Sequence, residues 1–350
     1  MRNFEGISRI WIFIKDPNKK SFFKIIKEVL VLIVKKREFP FYYFKYIYRK
    51  EVTNYLDYLS AGEMNKIGNS KILHKPEYNS LIGNKLFFTL FSEKSSIKTP
   101  KLISYNIGRS FCLSNRIIEV STLKGVIIFI ENVFNELNIE ELFFRPPLGY
   151  AGKGCFKLTK KNLEKELEAY YLTILNGHFV HTEVVKQHSE INKIHSSSVN
   201  TLRLITLITS TNSIEIISAF MRFGVGKSVV DNSSSGGFFV GINLEDGTLK
   251  KTGHYLLEFG GKEISKHPDS SFKLAGFKIP FYKEACEIVI SATKVIPDRL
   301  IGWDVAITNE GPLIIEANLG PHLPMSNIAY GGMLKNEHVK QLMQELKAMK

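Results

Sequence analysis

IGWDVAITNEGPLIIEANLGP, residues 301–321, decides the fold. Two short apolar strands flank a turn, and Asn309, Glu310 and Gly311 fit a three-residue hairpin loop with Gly at the position that needs positive φ. With Thr308 and Pro312 as the flanking pair, counting outward puts Asp304 opposite Glu316. Strand side chains alternate, so Glu316 and Asn318 share one face while Ile315 and Ala317 point the other way. Three hard oxygen ligands, Asp304, Glu316 and Asn318, thus lie on one face of an otherwise apolar hairpin. Facing carboxylates repel unless a cation sits between them. Mg²⁺ suits such a site, because it is held by one or two carboxylates together with substrate phosphates. The competing reading is a solvated hairpin face carrying scattered acids, and the unbroken apolar flanks argue against it. A magnesium site predicts a phosphate-binding element upstream.

The chain has 350 residues, 44% of them hydrophobic and 12% aromatic, enough for a sizeable core shared by two or three lobes. Its formal net charge of +13 favours polyanions, anionic membranes or phosphorylated substrates. Cys112, Cys155 and Cys286 are odd in number and far apart, which argues against a disulfide framework and for a reducing, cytoplasmic setting. The first residues lack the long apolar region of a signal peptide, and the run Val29–Val34 is too short to span a bilayer.

Residues 1–60 are basic and aromatic. Phe22, Phe23, Ile26, Leu30 and Ile33 recur at helical spacing, and FPFYYFKYIY follows at 39–48. One reading is a helical extension that packs this stripe on the main body and solvates its basic face. The other is a helix lying on an anionic membrane, at the inner face of the cell. Nucleic acid is not expected, since no recognised module accompanies the charge.

Asn84 and Lys85 open a helix to about Glu93, Pro100–Tyr105 reads as a strand, and Ser121 is the expected N-cap of a helix to about Leu137. Next comes ELFFRPPLGYAGKGCFKL, residues 141–158: a strand ending in Arg145, a glycine-rich loop, then a second strand. Gly149, Gly152 and Gly154 let the backbone approach an anion closely, and Arg145 and Lys153 add charge. The loop matches neither the P-loop nor the dinucleotide fingerprint, because a strand follows it. His178–Val185 reads as a strand with Glu183 near its end. Val199–Ile208 and Ile214–Phe223 are strands carrying Arg203 and Arg222, each costly to bury without an anionic partner. The small-residue segment Asp231–Phe239 contains Asn232, and an apolar helix over 281–296 precedes the closing hairpin. His181 and His188 read as packing or surface residues, since the histidines show no metal spacing.

In this order the elements resemble the ATP-grasp superfamily, and within it the sugar-transfer-associated ATP-grasp proteins of polysaccharide biosynthesis clusters. The resemblance rests on Asn84–Lys85, GYAGKG at 149–154, VNTLR at 199–203, HPD at 267–269, the Gly276–Pro280 segment, IGWDVAI at 301–307 and EAN at 316–318, and covers about residues 75–325. It implies an α+β fold whose two lobes clamp ATP, with residues 1–75 as a helical extension, 76–185 as the N-terminal and small lobe and 186–350 as the C-terminal lobe. It implies that Asp304, Glu316 and Asn318 hold two Mg²⁺ ions. Lys85, Arg145 (where the superfamily has a lysine), Gly149, Gly152, Lys153 and Gly154 would contact the phosphates. The backbone of Glu183, Val184, Val185 and Lys186 would pair with adenine, and Glu190 would bind the ribose. Arg203, Arg222 and Asn232 would serve the acyl-phosphate step.

The expected activity is an ATP-dependent carboxylate–amine ligase acting on small-molecule, sugar-linked or amino-acid substrates in surface-polysaccharide synthesis. Two alternatives stand beside it: an ATP-grasp kinase, and a non-catalytic nucleotide-binding partner of a polysaccharide assembly. The full set of magnesium ligands weighs against the last.

Overall fold

The computed structural model describes residues 11–149, 152–226, 231 and 236–348. Two antiparallel sheets organise it. The smaller has the order β3-β2-β1-β6-β4-β5, built from β1 (Leu102–Ile107), β2 (Ser110–Leu113), β3 (Arg116–Glu119), β4 (Glu141–Arg145), β5 (Phe156–Thr159) and β6 (His178–Thr182). The larger contains β7 (Thr201–Ile208), β8 (Ile214–Phe223), β9 (Phe238–Ile242), β10 (Leu249–Tyr255), β11 (Glu263–Ile264), β12 (Leu300–Thr308) and β13 (Gly311–Asn318), in the order β11-β10-β9-β8-β7-β12-β13. Two α+β lobes result, one around each sheet.

The amphipathic helices Leu123–Leu137 and Leu163–Asn176 cover the small sheet, burying Val126, Ile130, Val133, Leu167 and Ile174 against Leu142, Phe144 and Phe179. The first is capped by Thr122, which accepts the Gly125 N–H at 3.1 Å, one residue later than the expected Ser121. In the large sheet, Ile301, Trp303, Val305 and Ile307 of β12 pack on one face with Ala285, Val289 and Ala292 of the helix Tyr282–Val295. Leu300, Ile205 and Leu207 lie on the other face beneath Leu59, Ile67 and Leu323. That face also carries Asp304, two pleats along the strand from Leu300.

The closing hairpin differs from the expected one in two compensating ways. Thr308 pairs with Gly311, so the loop has two residues, Asn309 and Glu310. A bulge then follows: Asp304 opposes Glu316 while Val305 opposes Ile314, leaving Ile315 as the extra residue. The expected pairing of Asp304 with Glu316 is therefore restored, but Ile314 and Ala317, not Ile315, face the core.

Between the sheets the chain runs from β6 through residues 183–186. It meets the large sheet where Gln187 bridges to Thr308 and the His188 N–H bonds the Ile307 carbonyl at 2.8 Å. The polar segment 186–199 is stapled rather than loose. Gln187 Oε1 accepts the Asn200 backbone N–H at 2.6 Å, and Asn200 Nδ2 reaches the His195 carbonyl at 2.8 Å.

The N-terminal extension docks on the C-terminal lobe. Arg49 bonds Glu263 at 3.0 Å and the Gly261 carbonyl at 2.8 Å, and Asn327 holds both backbone groups of Leu59. Gly332 lies so close to Asp57 that a Cβ built on it would sit 2.7 Å from the Asp57 carbonyl oxygen. The helix Phe22–Lys36 packs through Ile25, Glu28 and Leu32. The expected packing stripe is the exposed side, with Phe22, Phe23, Ile26 and Leu30 in solvent. The inner face is taken by Ile25 and Leu32, which pack with Tyr42, Tyr43, Ile47 and Tyr48 around one ion pair. Lys20, 2.6 Å from Glu28, and Tyr43, also 2.6 Å from Glu28, form that buried polar cluster.

Candidate functional site

Four adjacent strands, β8, β7, β12 and β13, bring the charged residues together. Asp304 on β12 has Arg203 of β7 directly opposite on one side and Glu316 of β13 on the other. Asp304 accepts Arg203 Nε at 2.5 Å and Nη2 at 3.1 Å, and Arg222 Nη2 lies 2.9 Å from its Oδ2. Arg222, from β8, also donates to Thr201 Oγ1 and lies 3.5 Å from Asp231. Asp231 in turn accepts the Thr201 N–H at 2.7 Å and its hydroxyl at 2.6 Å. Gly302 leaves room beside this group: a Cβ there would meet Pro321 at 3.0 Å and Arg203 at 3.3 Å.

The small lobe supplies the opposite wall. Asn84 caps the helix Lys85–Lys94 by accepting the N–H groups of Leu86 and Phe87, which fixes Lys85 at its first position. Lys85 Nζ donates to the Gly149 carbonyl at 2.6 Å and lies 3.4 Å from Glu316 Oε2. Arg145 is buried. Its Nη1 donates to the carbonyl of the bulge residue Ile315 at 3.0 Å, and its Nη2 to Thr89 Oγ1 at 3.2 Å. Its Nε has no hydrogen-bond partner among the described residues. On the loop, Gly149, Gly152 and Gly154 all have positive φ, and a Cβ on Gly154 would meet Pro146 at 3.0 Å. Lys153 is exposed on the same loop, whose Tyr150 and Ala151 lie outside the described residues.

Burial and charge act against each other here. Burial pushes the Asp304 carboxyl up, but Arg203 and Arg222 hold it below the usual carboxylate range. Asp231 is pushed up by burial despite Arg222. Burial lowers Arg145, with Glu316 opposing, whereas Arg222 is raised against its burial by Asp231 and Asp304. Four cations, Lys85, Arg145, Arg203 and Arg222, thus face three carboxylates, Asp231, Asp304 and Glu316. The net positive charge and the unpartnered Arg145 Nε suit a polyanion.

Not every expected residue joins this cluster. Glu183 turns to the small sheet, where its Oε1 accepts the Lys101 N–H at 2.8 Å. Glu190, on the short helix Ser189–Asn192, is paired with Lys193 at 2.7 Å. Val184 and Val185 are half-buried and Lys186 is exposed in the crossing between the sheets. Asn232 lies outside the described residues. Asn318 falls opposite Gly302, its Nδ2 3.5 Å from the Gly302 carbonyl. His181 is fully buried between Ser104 and Asn106, and burial lowers it to about 3, so it is a neutral packing group.

The sequence reading missed Thr89, Thr201 and Asp231, which hold Arg145 and Arg222. Thr201 lies within VNTLR and Asp231 opens the small-residue segment, but Thr89 carried no sequence signal. The HPD residues hold the chain just after β8. His267 Nε2 lies 3.0 Å from the Gly224 carbonyl, and Asp269 accepts the Gly226 N–H at 2.6 Å.

A magnesium ion fits the donor chemistry of Asp304, Glu316 and Asn318, two carboxylates and an amide oxygen. Glu316 and Asn318 are half-exposed and Glu316 is only loosely paired. Asp304 is already bound by two guanidinium groups, so an ion there would share it with them.

The profile of the sugar-transfer associated ATP-grasp family matches residues 70–342. No curated protein matches the sequence. Among solved structures, the ATP-grasp ligase PsnB, in complex with a precursor variant, Mg and ADP, is similar at 12% identity and a TM-score of 0.43, over 79% of this chain and 61% of that one. D-alanyl-alanine synthetase A from Vibrio cholerae O1 biovar eltor is similar at 13% identity and a TM-score of 0.45, over 78% and 66%. D-cycloserine synthetase DcsG is similar at 14% identity and a TM-score of 0.43, over 79% and 73%. The chain thus spans about two thirds or less of the first two of these ligases. With its profile match running from the segment before Lys85 past the closing hairpin, the chain belongs to the sugar-transfer associated ATP-grasp family.

Proposed function

We propose that this chain is an ATP-dependent carboxylate–amine ligase, producing ADP, that takes part in surface-polysaccharide synthesis. The observation that carries the reading is the row Arg203–Asp304–Glu316 across three strands, with Lys85 at 3.4 Å closing its end. A carboxylate oxygen of the first substrate takes the γ-phosphoryl group, giving an acyl phosphate and ADP. The amine of the second then displaces inorganic phosphate, giving the amide, and its proton passes to solvent. Such transfer needs positioning and charge neutralisation more than covalent chemistry from the protein.

In this reading Asp304, Glu316 and Asn318 hold two Mg²⁺ ions, which neutralise phosphate charge when bound. Arg145, Lys85 and Lys153, with the glycines at 149, 152 and 154, take the phosphates. Arg203, Arg222 and Asn232 stabilise the acyl phosphate. Adenine lies along the backbone of 183–186, and Glu190 must leave Lys193 to reach the ribose. The enzyme works in the cytoplasm and rests on the inner face of an anionic membrane through residues 1–60.

Product analysis with candidate uronic or amino acids and amines tests the activity. ADP, free phosphate and an amide are expected. ADP with a phosphorylated acceptor would make the chain a kinase, and nucleotide binding without turnover a non-catalytic partner. ATP turnover that survives Glu316→Ala and Asn318→Ala would sink the assigned site.

A further inference from the structure

The helix Phe22–Lys36 is apolar on two sides: Ile25 and Leu32 pack inward, and a second set of large apolar side chains faces solvent. Its inner face holds an ion pair: Glu28, buried, is bound by Lys20 at 2.6 Å and by the Tyr43 hydroxyl at 2.6 Å, and Lys20 also reaches the Ile47 carbonyl at 2.9 Å. Its outer face carries an apolar stripe. Phe22 is 70% exposed, Phe23 83%, Leu30 57% and Val34 76%. Positions 22, 26, 30 and 34 repeat every four residues, which draws one stripe about 18 Å long on a helix rising about 1.5 Å per residue. The turn after the helix adds Phe41, 73% exposed, its ring 4.6 Å from that of Phe39. So many exposed large apolar side chains on one short stretch are rare on a protein that meets only water.

The charges around the stripe select the occupant. Lys24, Lys27, Lys35 and Arg37 are exposed beside it. The only acid between Phe22 and Arg37 is Glu28, which is buried. The whole chain carries +13, so a second copy would bring like charge against like. Among the described residues no helix is long and apolar enough to cross a membrane, so contact is made from the surface. We infer that the Phe22/Phe23/Ile26/Leu30/Val34 face, with Phe41, inserts into the headgroup region of an anionic lipid bilayer while the flanking lysines and Arg37 pair with lipid phosphates.

The face is also rigidly joined to the rest of the molecule. Lys36 pairs with Glu63 at 2.7 Å, Glu38 accepts the Gly62 N–H at 2.9 Å, and Arg49 reaches Glu263 at 3.0 Å on the sheet that carries Asp304. Lipid binding therefore sets the orientation of the whole C-terminal lobe. The inference sharpens the membrane part of the proposed function and does not depend on the ligase part.

The test is flotation of the full chain with phosphatidylcholine vesicles made with and without phosphatidylglycerol, with ATP turnover measured separately. Binding is expected on the anionic vesicles alone, weakened by salt. The triple variant Phe22→Ser/Phe23→Ser/Leu30→Ser should keep its thermal midpoint, because these side chains are exposed, and lose binding about tenfold or more. In an otherwise native chain, Phe23→Trp should shift its emission to the blue on the anionic vesicles, as insertion requires and charge adhesion alone does not. Equal binding by the triple variant would overturn the inference, as would a Trp emission that does not move. A concentration-dependent dimer that the triple variant abolishes, without vesicle binding, would assign the face to a second copy instead. A chain that floats but never turns over ATP would leave this inference standing and remove the ligase reading.

Discussion

Asp304 and Arg203 face each other across β12 and β7 and meet through two bonds, at 2.5 and 3.1 Å, with both side chains buried. Arg222 shares the same carboxylate. The carboxylate is what allows two guanidinium groups to lie together in the core.

Asp304→Asn leaves those two cations adjacent with Asp231 as their remaining buried acid. The variant should lose about 3–5 kcal/mol of stability, as broken buried ion pairs do. Urea denaturation checks this, and Arg203→Met in the same chain should recover part of the loss. The sign with pH follows from the depressed Asp304 carboxyl. Its contribution is fully present above about pH 4, the ordinary Asp value, and is lost as pH falls further. A variant as stable as the parent would mean that the pair does not form in solution.

Arg145 makes two bonds, to the Ile315 carbonyl and to Thr89. Arg145→Lys keeps the charge but cannot span both partners. It should cost about 1.5–3 kcal/mol and weaken Mg²⁺·ADP binding by calorimetry. Thr89→Val should cost about 1 kcal/mol by the same denaturation measurement. Unchanged stability in Arg145→Lys, with weakened nucleotide binding, would assign Arg145 to phosphate contact alone.

Much of this site is legible in the sequence because its residues sit on strands, where alternation and register are tightly constrained. Asp304, Glu316, Arg203 and Arg222 can be placed by counting. The hairpin shows why counting can succeed by compensation. The loop is one residue shorter than expected, the bulge at Ile315 absorbs the difference, and no local composition marks a bulge. Neither Thr89 nor the role of Asp231 is legible, because their partners Arg145 and Arg222 arrive from distant elements. The helix Phe22–Lys36 turns the other way from the packing expectation because a 3.6-residue period reports that a helix has an apolar face, not which surface that face meets.

His181 gives a pH dependence of its own. It is fully buried, and burial lowers it to about 3. The unfolded chain binds its proton near pH 6.5. Below that value the unfolded state therefore holds more protons than the native one, and stability falls as the pH drops. The expected slope is about 1.4 kcal/mol per pH unit between roughly 6.5 and 3. Urea midpoints at pH 7 and pH 5 measure it, and His181→Gln should flatten the difference.

Gly332, at φ +104, presses on the backbone of Asp57. Gly332→Ala adds left-handed strain and a clash with a carbonyl that cannot yield. A loss of about 1–3 kcal/mol is expected. Proteolysis should then cut the extension near Asp57 before the body of the protein. Equal protease resistance in parent and variant would show that the extension's docking does not depend on this contact.

The bond from Arg145 to the Ile315 carbonyl joins β4 of one sheet to the residue preceding Glu316 on the other. Any swing of the small lobe away from the large one must pull on that carbonyl or release it. If a cation sits at Glu316 as proposed, lobe separation and cation affinity would change together: the open form would bind the ion poorly because the neighbouring carboxylate has lost its brace, with no ligand residue altered.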